Sequence, residues 1–171
     1  MTKKVIFISG LGGTGKSTIF HYFLEHPIPH FSFFDFDHGK FRVPPYGENH
    51  LAWRTKQNKW WLKVASKEYD VKNNIPVIVG QCLYPSQIIK LPEAKPFGKE
   101  HIYFVHLLTT PNVRKKRLYA RGDKHHWGEH KHWYDDFFNE MTVARAFEVE
   151  TSRESVASSA KRIQGWLKKI F

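Results

Sequence analysis

Gly10-Leu11-Gly12-Gly13-Thr14-Gly15-Lys16-Ser17-Thr18 is spaced as G-x-x-x-x-G-K-[ST], the pattern of a phosphate-cradling loop. The apolar run Val5-Ile6-Phe7-Ile8 stands before it and suits a buried strand, and a helical run from Lys16 to about Leu24 follows. Strand, glycine loop and helix start are the context in which this pattern has a mechanism. The glycines let the chain turn tightly, so that successive backbone N–H groups face one anion. The free N–H groups and dipole of the helix start add to that field. Gly10, Gly12, Gly13, Thr14, Gly15, Lys16, Ser17 and Thr18 are therefore the expected nucleotide-binding residues. Among them Lys16 would reach the β- and γ-phosphates, and the Ser17 hydroxyl would sit on Mg²⁺. Gly10, Gly12 and Gly15 also satisfy the dinucleotide fingerprint G-x-G-x-x-G, with Asp35 or Asp37 at about the expected distance. That alternative gives no reason for Lys-Ser-Thr directly after the last glycine.

Outward from the loop, residues 4–9 read as the first strand, continuous and apolar as in the centre of a parallel sheet. A first helix over about 16–25 is ended by Pro27 and Pro29. Residues 31–35 read as a second strand, finishing in Asp35-Phe36-Asp37. Ligands gather at the carboxyl ends of strands in open parallel sheets. A carboxylate there can hold Mg²⁺ or accept a proton from an attacking hydroxyl, although an Asx turn with solvated acids explains the pair as well. Residues 38–75 begin irregularly and become a basic, aromatic, helical stretch, in which Trp53, Trp60 and Trp61 are given to packing. Arg42 and Arg54 are candidates to clamp an anionic substrate, because a guanidinium fork matches carboxylate or phosphate.

The third strand covers 75–80 and leads into Gly80-Gln81-Cys82. There Gly80 either permits close approach to a ligand or only makes the turn, and Gln81 would read a polar edge. The fourth strand, 101–108, contains His106 within an apolar run, which suits a hydrogen-bonded interior histidine. Pro111 starts a helix that carries Arg117 and Arg121 on one face. Residues 122–140 are polar and hold His125, His126, His130 and His132. That spacing matches no standard zinc pattern, and a mobile polar lid accounts for it better than a metal site. A short fifth strand at 147–151 and an amphipathic helix over 152–171 close the chain.

The 171 residues suit a single domain, 1–171. With 27 Lys+Arg against 16 Asp+Glu, a formal net charge of +11, the chain favours anionic partners: nucleotides, phosphorylated metabolites or nucleic acid. The single cysteine, Cys82, excludes an intrachain disulfide and fits a reducing cytoplasm. No run of 18 apolar residues exists, so no membrane span is expected. The chain starts with no signal-peptide pattern.

Taken together, the phosphate loop, the second-strand D-x-D, the Arg117-Leu118-x-x-Arg121 pattern before a polar segment, and the closing strand and helix resemble the small P-loop kinases. That group includes shikimate, gluconate and adenylate kinases and antibiotic phosphotransferases. The resemblance implies an α/β three-layer sandwich, a five-stranded parallel sheet in order 2-3-1-4-5 flanked by helices. It implies ATP and Mg²⁺ as cofactors and transfer of the γ-phosphoryl group to a small-molecule acceptor bound around 38–75. By the same analogy, Arg117 would flank the adenine and Arg121 would reach the phosphates from the lid. Asp37 looks like the catalytic position at the acceptor hydroxyl, and Asp35 and Ser17 like the metal side. Two departures leave the acceptor open: the glycine-rich signature of shikimate kinases after strand three is reduced to Gly80-Gln81, and the D-G-[FY]-P-R signature of adenylate kinases is absent. A polynucleotide 5′-hydroxyl kinase, a nucleic-acid-binding module and a regulatory ATPase are the other readings.

Overall fold

A computed structural model describes residues 2–45, 50–80, 82–123 and 131–171, and the side chains of all of these except 131–133. Five strands, β1 (Val5–Gly10), β2 (Phe31–Asp35), β3 (Ile75–Val79), β4 (Ile102–Leu108) and β5 (Phe147–Glu150), form one sheet in the order 2-3-1-4-5. All four pairings are parallel. Every residue of β1 is buried, because β1 lies at the centre and helices cover both faces of the sheet.

Strand alternation divides the core in two. Ile6, Ile8, Val77, Val79, Val105 and Leu107 face one side and pack with Ile19 and Phe23 of α1 (Lys16–Glu25) and Ile163 and Leu167 of α6 (Val156–Ile170). Val5, Phe7, Ile78 and Phe104 face the other. There they meet Trp53, Trp61 and Leu62 of α2 (His50–Lys72), Ile88 of α3 (Pro85–Ile89), and Phe137 and Met141 of α5 (Lys131–Val143). The remaining helix, α4 (Pro111–Ala120), packs its buried Leu118 against Gly12 and Gly13 of the glycine loop. Parallel strands place all their carboxyl ends on one edge, so the loops after Gly10, Asp35, Val79, Leu108 and Glu150 gather there.

The fold class and strand order agree with the expectation, and three local readings change. Residues 131–140 of the span expected as a lid belong to a helix that runs on to Val143. Phe137 and Met141, four apart, enter the core almost fully buried. Residues 124–130, with His125, His126 and His130, lie outside the described residues, as does the side chain of His132. The last helix begins at Val156 rather than Ser152, because the Ser155 side chain caps it by accepting from Ser158 N–H. His106 is buried as expected, but its Nδ1 has no hydrogen-bond partner among the described residues. Burial lowers its pKa to about 4, so the ring stays neutral between the edges of Phe137 and Phe138. No described helix is long and apolar enough to cross a membrane.

Candidate active site

The loop after β1 takes its shape from two glycines. Gly13 and Gly15 have φ of 84° and 94°, where a side chain would be strained. Gly15 is the N-cap of α1 and supplies no side-chain cap, and no acidic residue sits in the first turn. The N–H groups that open α1 therefore face outward with their dipole uncompensated, which fits a bound anion. The Lys16 ammonium lies in the mouth of the loop and donates to the carbonyls of Gly10 at 2.9 Å and Leu11 at 2.8 Å. Crowding away from water lowers its pKa to about 8, and Arg121 and Arg54 push the same way, while Asp37 opposes. Ser17 and Thr18 are exposed on the first turn.

The outer side of the loop is braced by α4. Arg114 is buried, its Nε donates to Gly12 O at 2.9 Å, and its guanidinium meets both the hydroxyl and the ring face of Tyr134 on α5. Arg117 donates to Gly13 O at 3.3 Å, Thr151 Oγ1 at 3.1 Å and Thr151 O at 2.7 Å. The Thr151 hydroxyl also lies 2.9 Å from Thr14 O. Its guanidinium spans the loop and the chain after β5, held by three acceptors. Sequence reasoning missed Arg114 and Thr151. Arg114 stands three residues before Arg117, on the same helix face, and that spacing was the available signal.

The second corner follows β2. Asp35 caps a single 3₁₀ turn, Phe36–His38, by accepting from Asp37 N–H at 2.9 Å, while its other oxygen lies 2.9 Å from His38 Nδ1. The Asx turn is thus present, at the carboxyl end of β2. Asp37 stands at the surface, yet its pKa is raised by the loss of surrounding water and by Asp35, against the pull of Lys16, Arg54 and His38. Arg54, half-buried on α2, belongs to the same field: desolvation lowers its pKa, and Cys82, Asp37 and Tyr84 counter that. Lys16, Asp37, Arg54 and Arg121 are therefore one electrostatic group at the carboxyl edge of the sheet. Arg121 follows α4, half-exposed, with Asp123 at 3.0 Å.

The structure does not bring every expected residue into that group. Arg42 is exposed on the loop before α2 and is not among the charges that perturb Lys16 or Asp37. Gly80 has a packing reason: a Cβ there would stand 2.3 Å from Phe36 Cβ. Gln81 lies outside the described residues. Cys82 is buried, and burial pushes its thiol pKa well up, so it is an inert part of the wall.

The donor set fits a triphosphate and a magnesium ion in the way P-loop sites do. The described residues contain no cluster of three or more His, Cys, Asp or Glu side chains able to cage a metal. Magnesium needs no such cage, since it keeps several waters and takes one or two protein ligands plus phosphate oxygens. Ser17 and Asp35 are the candidate protein ligands for it.

No family model matches the sequence, and no curated protein sequence does. Solved structures match it nearly end to end. Shikimate kinase from Acinetobacter baumannii, solved with shikimate, superposes with a TM-score of 0.59 at 15% identity, covering 98% of this chain and 94% of its own. Shikimate kinase from Aquifex aeolicus gives 0.59 at 18% identity, with 96% of each chain covered. A sugar kinase from a Janibacter species gives 0.53 at 16%, covering 97% of this chain and 95% of that one. The chain has the fold of the shikimate kinase-like P-loop group. At these identities the likeness is one of fold, and the chemistry of this P-loop chain has to be argued from its own residues.

Proposed function

We propose that this protein is an ATP- and Mg²⁺-dependent kinase that transfers the γ-phosphoryl group to a hydroxyl or phosphate of a small molecule. The observation that carries this reading is the phosphate loop, with Gly13 and Gly15 at positive φ, the uncapped N–H groups of α1 and the Lys16 ammonium in its mouth, on the same sheet edge as Asp35 and Asp37. Phosphoryl transfer asks mainly for positioning and for neutralisation of charge. The backbone N–H groups from Gly13 to Thr18 would hold the phosphates, with Lys16 on the β- and γ-phosphates. Ser17, and Asp35 directly or through water, would hold Mg²⁺, which would offset the charge of the phosphates. Asp37 would orient the acceptor hydroxyl and take its proton, since a carboxylate with a raised pKa is better matched to that task at neutral pH. Arg54 would fix an anionic group on the acceptor, and Arg121 would meet the transferring group from the side of α4. Arg117, tied to Gly13 and Thr151, would border the base.

The test is an ATP-consumption screen with Mg²⁺ against sugars, sugar acids, nucleosides, nucleotides and 5′-hydroxyl oligonucleotides. The expected result is turnover on a small acceptor, abolished by Lys16→Ala. Turnover on oligonucleotides alone would move the reading to a polynucleotide kinase. Protein that neither binds Mg·ATP nor consumes it with any acceptor would overturn the kinase reading.

A further inference from the structure

Gln57 sits in the middle of α2 with no exposed surface, among Trp53, Trp61 and Leu62 of the core. A buried amide is costly unless its groups are paired. Here the pairing runs to one loop. Gln57 Nε2 donates to Phe36 O at 2.9 Å, and Gln57 Oε1 accepts from Phe41 N–H at 3.0 Å. Those two partners bracket residues 37–40, and Asp37 is the first of them. The amide orientation is fixed by chemistry, because a backbone carbonyl only accepts and a backbone N–H only donates. Two indoles reinforce the same ends: Trp61 Nε1 donates to Phe36 O at 3.0 Å and Trp53 Nε1 to Phe41 O at 3.0 Å. Gly39 lies directly on the amide, since a Cβ there would stand 2.3 Å from Gln57 Nε2.

Apolar packing alone would hold this loop against α2 and would let it slide. One carbonyl and one N–H read by a single planar amide do not, because a slide along the helix breaks both bonds together. We propose that Gln57 is a positioning residue that sets where the Asp37 carboxylate stands relative to Lys16, with Trp53 and Trp61 as side braces. This rests on the assignment of Asp37 to the acceptor hydroxyl. A misplacement of about 1 Å at a reacting group costs on the order of a hundredfold in rate, so a clamp on the loop ends acts on turnover before it acts on affinity.

The test uses the full-length protein and the acceptor of highest turnover in the screen above, with folding of each variant checked by circular dichroism. Gln57→Ala should lower kcat by about tenfold to a hundredfold and leave KM for Mg·ATP within about twofold. Gln57→Glu gives a second, directional readout. Its carboxylate would face the Phe36 carbonyl, so it restores the donor only when protonated, and its kcat should fall as pH rises through a carboxyl pKa raised by burial. The Gln57→Ala variant should lack that limb. Trp53→Phe should slow turnover in the same direction by less. Because Gln57 acts through Asp37, adding Gln57→Ala to Asp37→Asn should cost no further rate.

Wild-type kcat in Gln57→Ala, an equal slowing in the Asp37→Asn background, or a Gln57→Glu profile as flat as that of Gln57→Ala would each overturn the proposal. A failure of the Asp37 assignment looks different: Asp37→Asn alone would turn over normally. Hydrogen exchange at the Phe41 amide then still judges the clamp, with protection in the wild type and its loss in Gln57→Ala expected, and unchanged protection counting against it.

Discussion

The corner after β1 and the corner after β2 bring opposite charges to the same edge of the sheet and are held by different means. The first is made of backbone. Its curvature comes from the positive φ of Gly13 and Gly15, and its polar groups are the N–H groups that open α1. Arg114 and Arg117 brace it from outside by taking the carbonyls of Gly12 and Gly13. The second corner has no glycine with positive φ. It hangs from side chains of α2, with Gln57, Trp53 and Trp61 bound to the carbonyls and N–H at its two ends. A corner whose shape is written in its own dihedrals tolerates change in its neighbours. A corner whose shape is lent by a helix does not, and the variants below separate the two.

Lys16→Ala should give the largest effect, a fall of about a thousandfold in phosphoryl transfer, because it removes the cation that the first corner supplies. The fold should not suffer. The Lys16 pKa lies near 8 in the protein against 10.5 in the open chain, so its charge is disfavoured by folding at neutral pH. That penalty is present below pH 8 and fades as the pH rises toward 10.5. The thermal midpoint of Lys16→Ala at pH 7 should therefore equal or exceed that of the parent. Near-normal turnover in the folded variant would remove the loop from the mechanism.

Asp37→Asn comes next, at about a hundredfold or more in kcat at saturating Mg²⁺, since an amide cannot take the acceptor's proton. Its neighbour provides the contrast. Asparagine at position 35 keeps an oxygen to accept from Asp37 N–H, so Asp35→Asn should preserve the 3₁₀ turn. It loses the negative charge and the second oxygen that faces His38 Nδ1, and its activity should recover at raised Mg²⁺. Magnesium titrations of both variants decide the division of labour. Equal rescue would mean that both carboxylates serve the metal.

Arg114→Ala attacks the first corner from outside. It deletes the donor to Gly12 O and the partner of Tyr134, and should cost about 1.5–3 kcal/mol of stability by urea unfolding. Because Gly13 and Gly15 keep the turn, KM for Mg·ATP should rise only a few fold. A collapse of nucleotide binding would show that the brace, rather than the glycine dihedrals, makes the loop.

The same division explains what could be read in advance. The first corner is local: nine consecutive residues carry spacing, glycines and lysine, and the strand and helix beside them are short-range patterns. Sheet order followed from the resemblance that this corner anchors. The second corner was legible only as Asp35-Phe36-Asp37. What fixes it comes from α2, twenty-one residues beyond Phe36 in the case of Gln57, and a glutamine among tryptophans gives no sign of the carbonyl it will meet. Gly80 shows the same limit. A glycine at a strand end signals close approach, and here the approaching group is Phe36. Phe137 and Met141 were missed because the histidine-rich run drew the whole segment into one polar reading, although Trp133, Phe137 and Met141 stand four apart in sequence.

The smallest effect tests the charge that links the two corners. Free Lys16 loses its proton near pH 8, and phosphate beside it favours the protonated form, so nucleotide binding above that pH must take up a proton. Affinity for Mg·ATP should be flat below neutral pH and weaken by about threefold between about pH 7.5 and 8.5, tending to tenfold per unit beyond. Calorimetry in two buffers of different ionisation enthalpy measures the proton uptake directly, with a value near zero expected at about pH 7 and rising toward one at about pH 9. Lys16→Ala should bind more weakly with no such limb. Asp37→Asn sharpens the test, because Asp37 is the group that holds the Lys16 proton on. Without its charge the limb should move to lower pH, as the repulsion from Arg121 and Arg54 goes unopposed. A limb that stays in place would mean that Lys16 and Asp37 do not share one field, and that the two corners deliver their charges to separate sites.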